Sequence, residues 1–370
     1  MKEREHIYYF DYLRVFAFMS VIFMHTAAMP LRAGIGGNWY VTNVVTCLAF
    51  TAVPLFFMMS GYLLMTSKKT EDALIMLKNR LPRLIVPLVF WTIMAITWLL
   101  SANHQFTIKE FLKSMISATS QPAMVHMWYM YTLIAIYIIS PFLYAGLHNM
   151  KRSGHILLFS ILVIVSLQYM IRIVVPEPFN RLFMWDIVDK MQFFGGHLCT
   201  FFLGYYLGTS KKKVSNKLLI ILAVFSLTII SVGTWFLTIQ SGEFDQTFQV
   251  QSQGYEILLA SSIFLLAKQN LNKTKKWIEH LVKPLAGLSL PVYLCHNIIL
   301  SILGFYGIEG SSFIKIVMVT CLTALISFLF AKTTASIKPV CFLVNGVTYK
   351  NACENLNWQY TFRWITKKES

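Results

Sequence analysis

Apolar runs long enough to cross a bilayer recur along nearly the whole chain, at about 8–30, 39–66, 84–102, 127–147, 155–175, 192–209, 217–240, 253–269, 284–306 and 312–335. A hydrocarbon core of roughly 30 Å takes about 20 apolar residues to cross as a helix, and every backbone polar group inside must be satisfied within its own segment. The pattern predicts an all-α integral membrane protein, a bundle of about ten transmembrane helices without sheet. The run at 39–66 exceeds a straight crossing, so it is expected to tilt or to contain an interfacial turn near Pro54.

Composition agrees with lipid as the main solvent, because 56% of residues are hydrophobic and only 13% charged, more apolar surface than water would tolerate. The net charge of +16 would suggest a nucleic-acid partner in a soluble protein. Here the basic residues sit in short clusters between apolar runs, which is a topology signal instead. Most of the 32 lysines and arginines fall in alternate connections, among them Lys68, Lys69, Lys78, Arg80 and Arg83, then Lys211, Lys212 and Lys213. That bias predicts both termini on the cytoplasmic side of a multi-pass cell membrane. The six cysteines are scattered without metal-ligand spacing, so neither a disulfide framework nor a zinc site is expected. A cleaved signal peptide is the rival reading of the first run, and Asp11 and Arg14 inside it argue against that. Residues 1–335 read as one polytopic domain. The remainder, 336–370, reads as a cytoplasmic tail in which Trp358, Tyr360, Phe362 and Trp364 beside Arg363, Lys367 and Lys368 suit either a headgroup-lying segment or a partly ordered end.

An ionisable residue well inside a span costs several kcal/mol unless it faces protein or a water-filled cavity. Arg14 and His25 meet that description. Their separation of 11 residues turns a helix by about three turns plus some 20° and advances it roughly 16 Å. Both side chains then share one face, and Asp11 stands one turn before Arg14, placed to pair with its guanidinium. The plainer reading is a snorkelling arginine and a histidine bonded to a neighbouring helix. In the loop before the third span, Arg80 and Arg83 are suited to bidentate phosphate contacts, although topology alone explains most basic loops on that side.

Four more constellations fall in spans or at their ends: Phe57 to Leu63 with Ser60, Gly61 and Tyr62; His126 to Tyr129 with Trp128; Asn180 to Asp189; and Ser289 to His296 with Tyr293. Ser60 and Gly61 also suit close helix packing, Trp128 an interface belt, and His296 a buried bonded histidine. Glu256, near the outer end of its span, suits either a functional role or pairing with an outer-side basic residue.

Taken together, the motifs resemble the acyltransferase-3 family of bacterial membrane proteins over most of residues 7–335. The resemblance rests on Asp11, Arg14 and His25 in the first span, the phenylalanine-rich Ser60-Gly61-Tyr62 segment, Arg80 and Arg83 leading to Pro87, His126 to Tyr129, and Ser289, Tyr293 and His296. The chain is most similar to the short stand-alone O-acetyltransferases of the enterobacterial common antigen type, which lack a fused extracellular domain. Nothing after residue 335 is expected to supply one. The resemblance implies an acyl-CoA donor, acetyl-CoA first, entering from the cytoplasm, with His25 catalytic and Arg14 near the donor. It implies a polymeric or lipid-linked carbohydrate acceptor and no metal. A donor held at Arg14, Arg80 and Arg83 would reach His25 with its pantetheine arm, where the histidine acts as general base or as nucleophile. Ser60, Tyr293 and His296 are the candidate oxyanion donors. The rival class is a transporter or flippase for envelope glycans, against which stands the lack of an internal repeat or a matched pair of broken helices.

Overall fold

The computed structural model describes residues 6–175, 179, 196–271, 276–356 and 358, and every regular element among them is helical. Helix α1 (Tyr8–Arg32) runs unbroken through Asp11, Arg14 and His25. Helices α2 (Trp39–Ala49) and α3 (Ala52–Met65) split the long second apolar run at a turn through Phe50 and Thr51. The Thr51 hydroxyl donates to the carbonyl of Leu48 there, and Pro54 falls in the first turn of α3, where a missing N–H is tolerated. Next come α4 (Pro82–Ala102), the short amphipathic α5 (Ile108–Ser117), α6 (Trp128–Asn149) and α7 (Arg152–Val174). Helices α8 (His197–Thr209), α9 (Asn216–Ser241) and α10 (Gly254–Asn270) follow. The last group is α11 (Lys276–Gly287), α12 (Ser289–Phe305), α13 (Phe313–Ala335) and α14 (Val340–Asn345).

Six of the helical stretches among the described residues are long and apolar enough to cross a membrane, and seven if α11 and α12, bent by 68° at Leu288, count as one broken span. Two of the other expected spans fall on helices shorter than a straight crossing. Helix α8 has 13 residues and α10 has 17, rises of about 20 and 26 Å against a hydrocarbon core of roughly 30 Å. The start of the apolar run at 192–209 and the segment Asn180 to Asp189 lie outside the described residues. So do Tyr360, Phe362, Arg363, Trp364, Lys367 and Lys368.

Glycine sets the tightest contact in the bundle. A Cβ on Gly61 of α3 would lie 1.8 Å from the carbonyl oxygen of Phe201, and one on Gly204 of α8 would lie 2.0 Å from that of Met58. One turn further, Gly208 faces the ring of Tyr62. The two backbones therefore touch, the small-residue packing that lipid-embedded helices use where apolar burial gives no drive to associate. The first part of the tail is docked as well. Trp91 of α4 donates its indole N–H to the carbonyl of Val344 at 3.1 Å, and Asn345 donates to the carbonyl of Ala331 at 3.0 Å. Gly346, at φ +65°, lies against the carbonyl of Arg83.

Gly61→Ala should therefore destabilise the detergent-solubilised protein by about 1–3 kcal/mol, the usual cost of overpacking. Gly36, with open space where its Cβ would be, should tolerate alanine with little change. Thermal denaturation followed by size-exclusion chromatography compares the two.

Candidate functional site

Three histidines from three segments meet near the end of α1 remote from its Asp11 turn. His25 comes from α1, His126 from the one-turn helix Val125–Met127 that leads into α6, and His296 from α12. Ring centroids lie 5.9 Å apart for His25 and His126, 5.3 Å for His25 and His296, and 4.7 Å for His126 and His296. Helix α12 restarts after the bend at Leu288, and this places Tyr293, His296 and Asn297 around the histidine of the preceding turn.

Hydrogen bonds assign the rings different parts. The Tyr293 hydroxyl donates to the backbone carbonyl of His126. On the His126 ring, Nε2 donates to the carbonyl of Leu294 at 3.4 Å and Nδ1 accepts from the Asn297 amide at 3.2 Å. Both nitrogens are thus occupied in the neutral ring. His296 donates from Nδ1 to the carbonyl of Tyr293 at 2.5 Å, which leaves Nε2 as an acceptor; it is buried and has no partner among the described residues. His25 is only half-buried and lines a cleft of about 710 Å³. The cleft is walled by the 33–38 connection, the start of α2, one face of α12 and the 308–312 connection. His25 is therefore the member of the cluster that a ligand in the cleft reaches.

Towards the other end of α1, Asp11 pairs with Arg14 at 3.5 Å, the i, i+3 contact expected from the spacing. It also receives His6 Nε2 at 2.5 Å. Arg14 stands within electrostatic reach of Tyr129 and Tyr137, and Tyr137 within reach of Arg80 as well. The Ser60 hydroxyl lies in reach of the Tyr129 phenol, whose ring is 5.6 Å from that of Tyr293. A line of polar side chains thus runs from Arg80 through Tyr137, Arg14 and Tyr129 to the histidines.

The two loop arginines differ. Arg80 ends a turn of π geometry, closed by the Leu81 N–H on the Met76 carbonyl at 2.9 Å. Its guanidinium donates to Ser67 at 2.8 Å and Thr70 at 3.0 Å, so it ties the loop after α3 to the start of α4. Arg83 is exposed. Tyr62 is not brought to the histidines: its ring packs edge-on to Phe10, 5.3 Å away, in the seam beside α8. Trp128 lies 5.2 Å from the ring of His197, which is itself stacked on Phe57 at 4.7 Å. Tyr137, His197 and Asn297 escaped the reading of the sequence. Tyr129 and Tyr137 stand eight residues apart on one helix, about 80° apart around its axis, so helical period alone gave only a weak signal for Tyr137. Ser60 and Gly61 serve two ends, the glycine the helix contact and the serine the tyrosine line.

Of the two readings of Glu256, pairing with a basic residue is not formed among the described residues, and the outer-side Arg181 and Lys190 lie outside them. The side chain is fully buried and neither carboxylate oxygen has a partner among the described residues. Among the described residues no group of three or more potential ligands is placed to hold a metal ion. For the histidine cluster this follows from its bonding, since three of the four nitrogens of His126 and His296 are engaged by protein groups.

Comparison with known proteins found a family model, described as an acyltransferase domain, that matches residues 7–332. No curated protein and no solved structure matches the chain. With the match running from the first turn of α1 almost to the end of α13, the chain belongs to the acyltransferase-3 family and is a membrane acyltransferase by descent.

Proposed function

We propose that the chain is an O-acyltransferase of the bacterial cytoplasmic membrane that moves an acyl group, acetyl first, from cytoplasmic acyl-CoA to a hydroxyl of a cell-surface polysaccharide or lipid-linked sugar. In this reading the protein crosses the membrane about ten times with both termini inside, as in the short stand-alone O-acetyltransferases of the common-antigen type. One observation carries the reading. His25 lines a cleft at one end of a polar line whose other end holds Arg14 and Arg80, so two substrates can approach one histidine from opposite faces.

The donor enters at the basic end. Arg83, exposed at the start of α4, meets the phosphates, and Arg14 steadies the pantetheine arm, which spans about the 16 Å rise from Arg14 to His25. The acceptor occupies the cleft. An unprotonated ring nitrogen of His25 takes the proton of the sugar hydroxyl as its oxygen attacks the thioester carbon. The carbon–sulfur bond then breaks, and the thiolate leaves as CoA thiol with the proton from His25, giving an ester and free CoA. The neutral bonding of His126 and the unpartnered Nε2 of His296 support base catalysis, since neither ring places a positive charge beside His25. Asp11 holds Arg14 rather than the histidine. Tyr293 is committed to the His126 carbonyl and serves as a positioning residue.

Transfer of labelled acetyl from acetyl-CoA to envelope glycan, measured in membranes with matched amounts of protein, should fall at least about 100-fold in His25→Ala, the lower range for loss of a general base. Undiminished transfer would remove the central assignment. Arg83→Gln should raise the apparent KM for acetyl-CoA several-fold with kcat little changed, the pattern of lost uniform binding. An unaltered KM would return Arg83 to a purely topological role. Arg80→Gln should also lower thermal stability, because two hydroxyls lose their donor.

A further inference from the structure

The His296 ring has an unmet bonding requirement beside the reactive histidine. Its Nδ1 donates to the Tyr293 carbonyl at 2.5 Å, so in the neutral ring Nε2 carries a lone pair and no proton. That Nε2 is buried and accepts nothing among the described residues. A buried acceptor without a donor is costly, the more so where bulk water does not reach. His296 is fully buried and absent from the cleft lining, so a ligand in the cleft does not supply the donor.

Three rings stand against it. By centroid, Tyr293 lies 5.9 Å away, His25 5.3 Å and His126 4.7 Å. The Tyr293 hydroxyl is given to the His126 carbonyl, and the one proton of the neutral His126 ring to the Leu294 carbonyl. Of the three, His25 is left with an N–H to give. Two imidazoles joined edge to edge by a hydrogen bond of ordinary length have centroids about 5 Å apart, which the 5.3 Å between His25 and His296 matches. The ring planes are 42° apart and the bond is not closed. Closing it takes a turn about the Cβ–Cγ bond of His25, a soft torsion, and catalytic hydrogen bonds often tighten only in the substrate complex.

We infer that His296 is a positioning residue for His25: its Nε2 accepts an N–H of the His25 ring, fixes one tautomer and leaves the other nitrogen bare towards the cleft. The inference rests on the acyltransferase reading for its catalytic consequence, whereas the bond itself is measured without turnover. When the proton of the sugar hydroxyl arrives on the bare nitrogen, His25 becomes imidazolium. Its other N–H then binds Nε2 as a charge-assisted hydrogen bond. No proton passes to His296, and the one taken from the sugar leaves with the CoA thiolate. A neutral ring acts here as the carboxylate does in a Ser-His-Asp triad, in keeping with Asp11 being held at Arg14.

The full chain in nanodiscs, with its histidines labelled with ¹⁵N, should show one His25 tautomer and, with saturating CoA, a scalar coupling to His296 across the N–H···N bond. The signals are assigned by their loss in His25→Ala and His296→Leu. No coupling either with or without CoA overturns the inference. His296→Leu removes the acceptor and puts an apolar group in a buried place, so the protein should keep its melting temperature. Its His25 signals should report mixed tautomers, and kcat for transfer from acetyl-CoA should fall about 10- to 100-fold at unchanged KM, the scale of one hydrogen bond to a charged group. His296→Gln, whose carbonyl oxygen can stand where Nε2 stood, should recover most of that loss. A His25 tautomer or a kcat unmoved by His296→Leu, or equal losses in the two variants, also overturns the inference. A wild-type chain that transfers nothing would sink the acyltransferase reading and leave the coupling and the tautomer to decide the bond by themselves.

Discussion

The hydroxyl of Tyr293 on the carbonyl of His126 is the contact on which the site depends. In a hydrocarbon surround no water is at hand to satisfy a carbonyl exposed by a one-turn helix, so a side chain from another span must do it. By doing so Tyr293 fastens α12 to the entry of α6, and the same stretch of α12 then supplies the Leu294 carbonyl and the Asn297 amide to the His126 ring. The bend at Leu288 makes this possible, because it lets α12 start afresh at the depth where the short turn lies. Two imidazoles become fixed scaffolding, and the third, on the continuous α1, is left to face the cleft.

Much of this was legible in the chain. The first span reads correctly because its two signals are local: Asp11 and Arg14 are one turn apart, and Arg14 and His25 share a face by helical period alone. The turn near Pro54 was legible for the same reason. His126, Tyr293 and His296 were visible as polar residues in apolar runs, but their meeting was not, since it depends on segments separated by about 170 residues. Helix shape was the other gap. Hydropathy reports how far an apolar run extends and not whether it bends, so the α11–α12 pair, bent by 68°, looks like one straight span in sequence.

Arg80 shows that a cation in a basic loop can have a structural part as well. A guanidinium in such a loop invites a ligand role, and here two hydroxyls of the preceding loop take two of its five N–H donors. Arg83, three residues on, is exposed, whereas Arg80 is half-buried. Within one short motif, one arginine shapes the loop and the next faces outward.

The contact between α3 and α8 has a mechanical consequence. Carbonyls facing glycines across the interface leave no side chain between the two backbones to flex or change rotamer. The pair moves as a single stiff plank, carrying Ser60 and the ring of Tyr62 with it. Whatever breathing the bundle needs is borne by seams filled with side chains, such as those around α1 and the jointed α11–α12 pair.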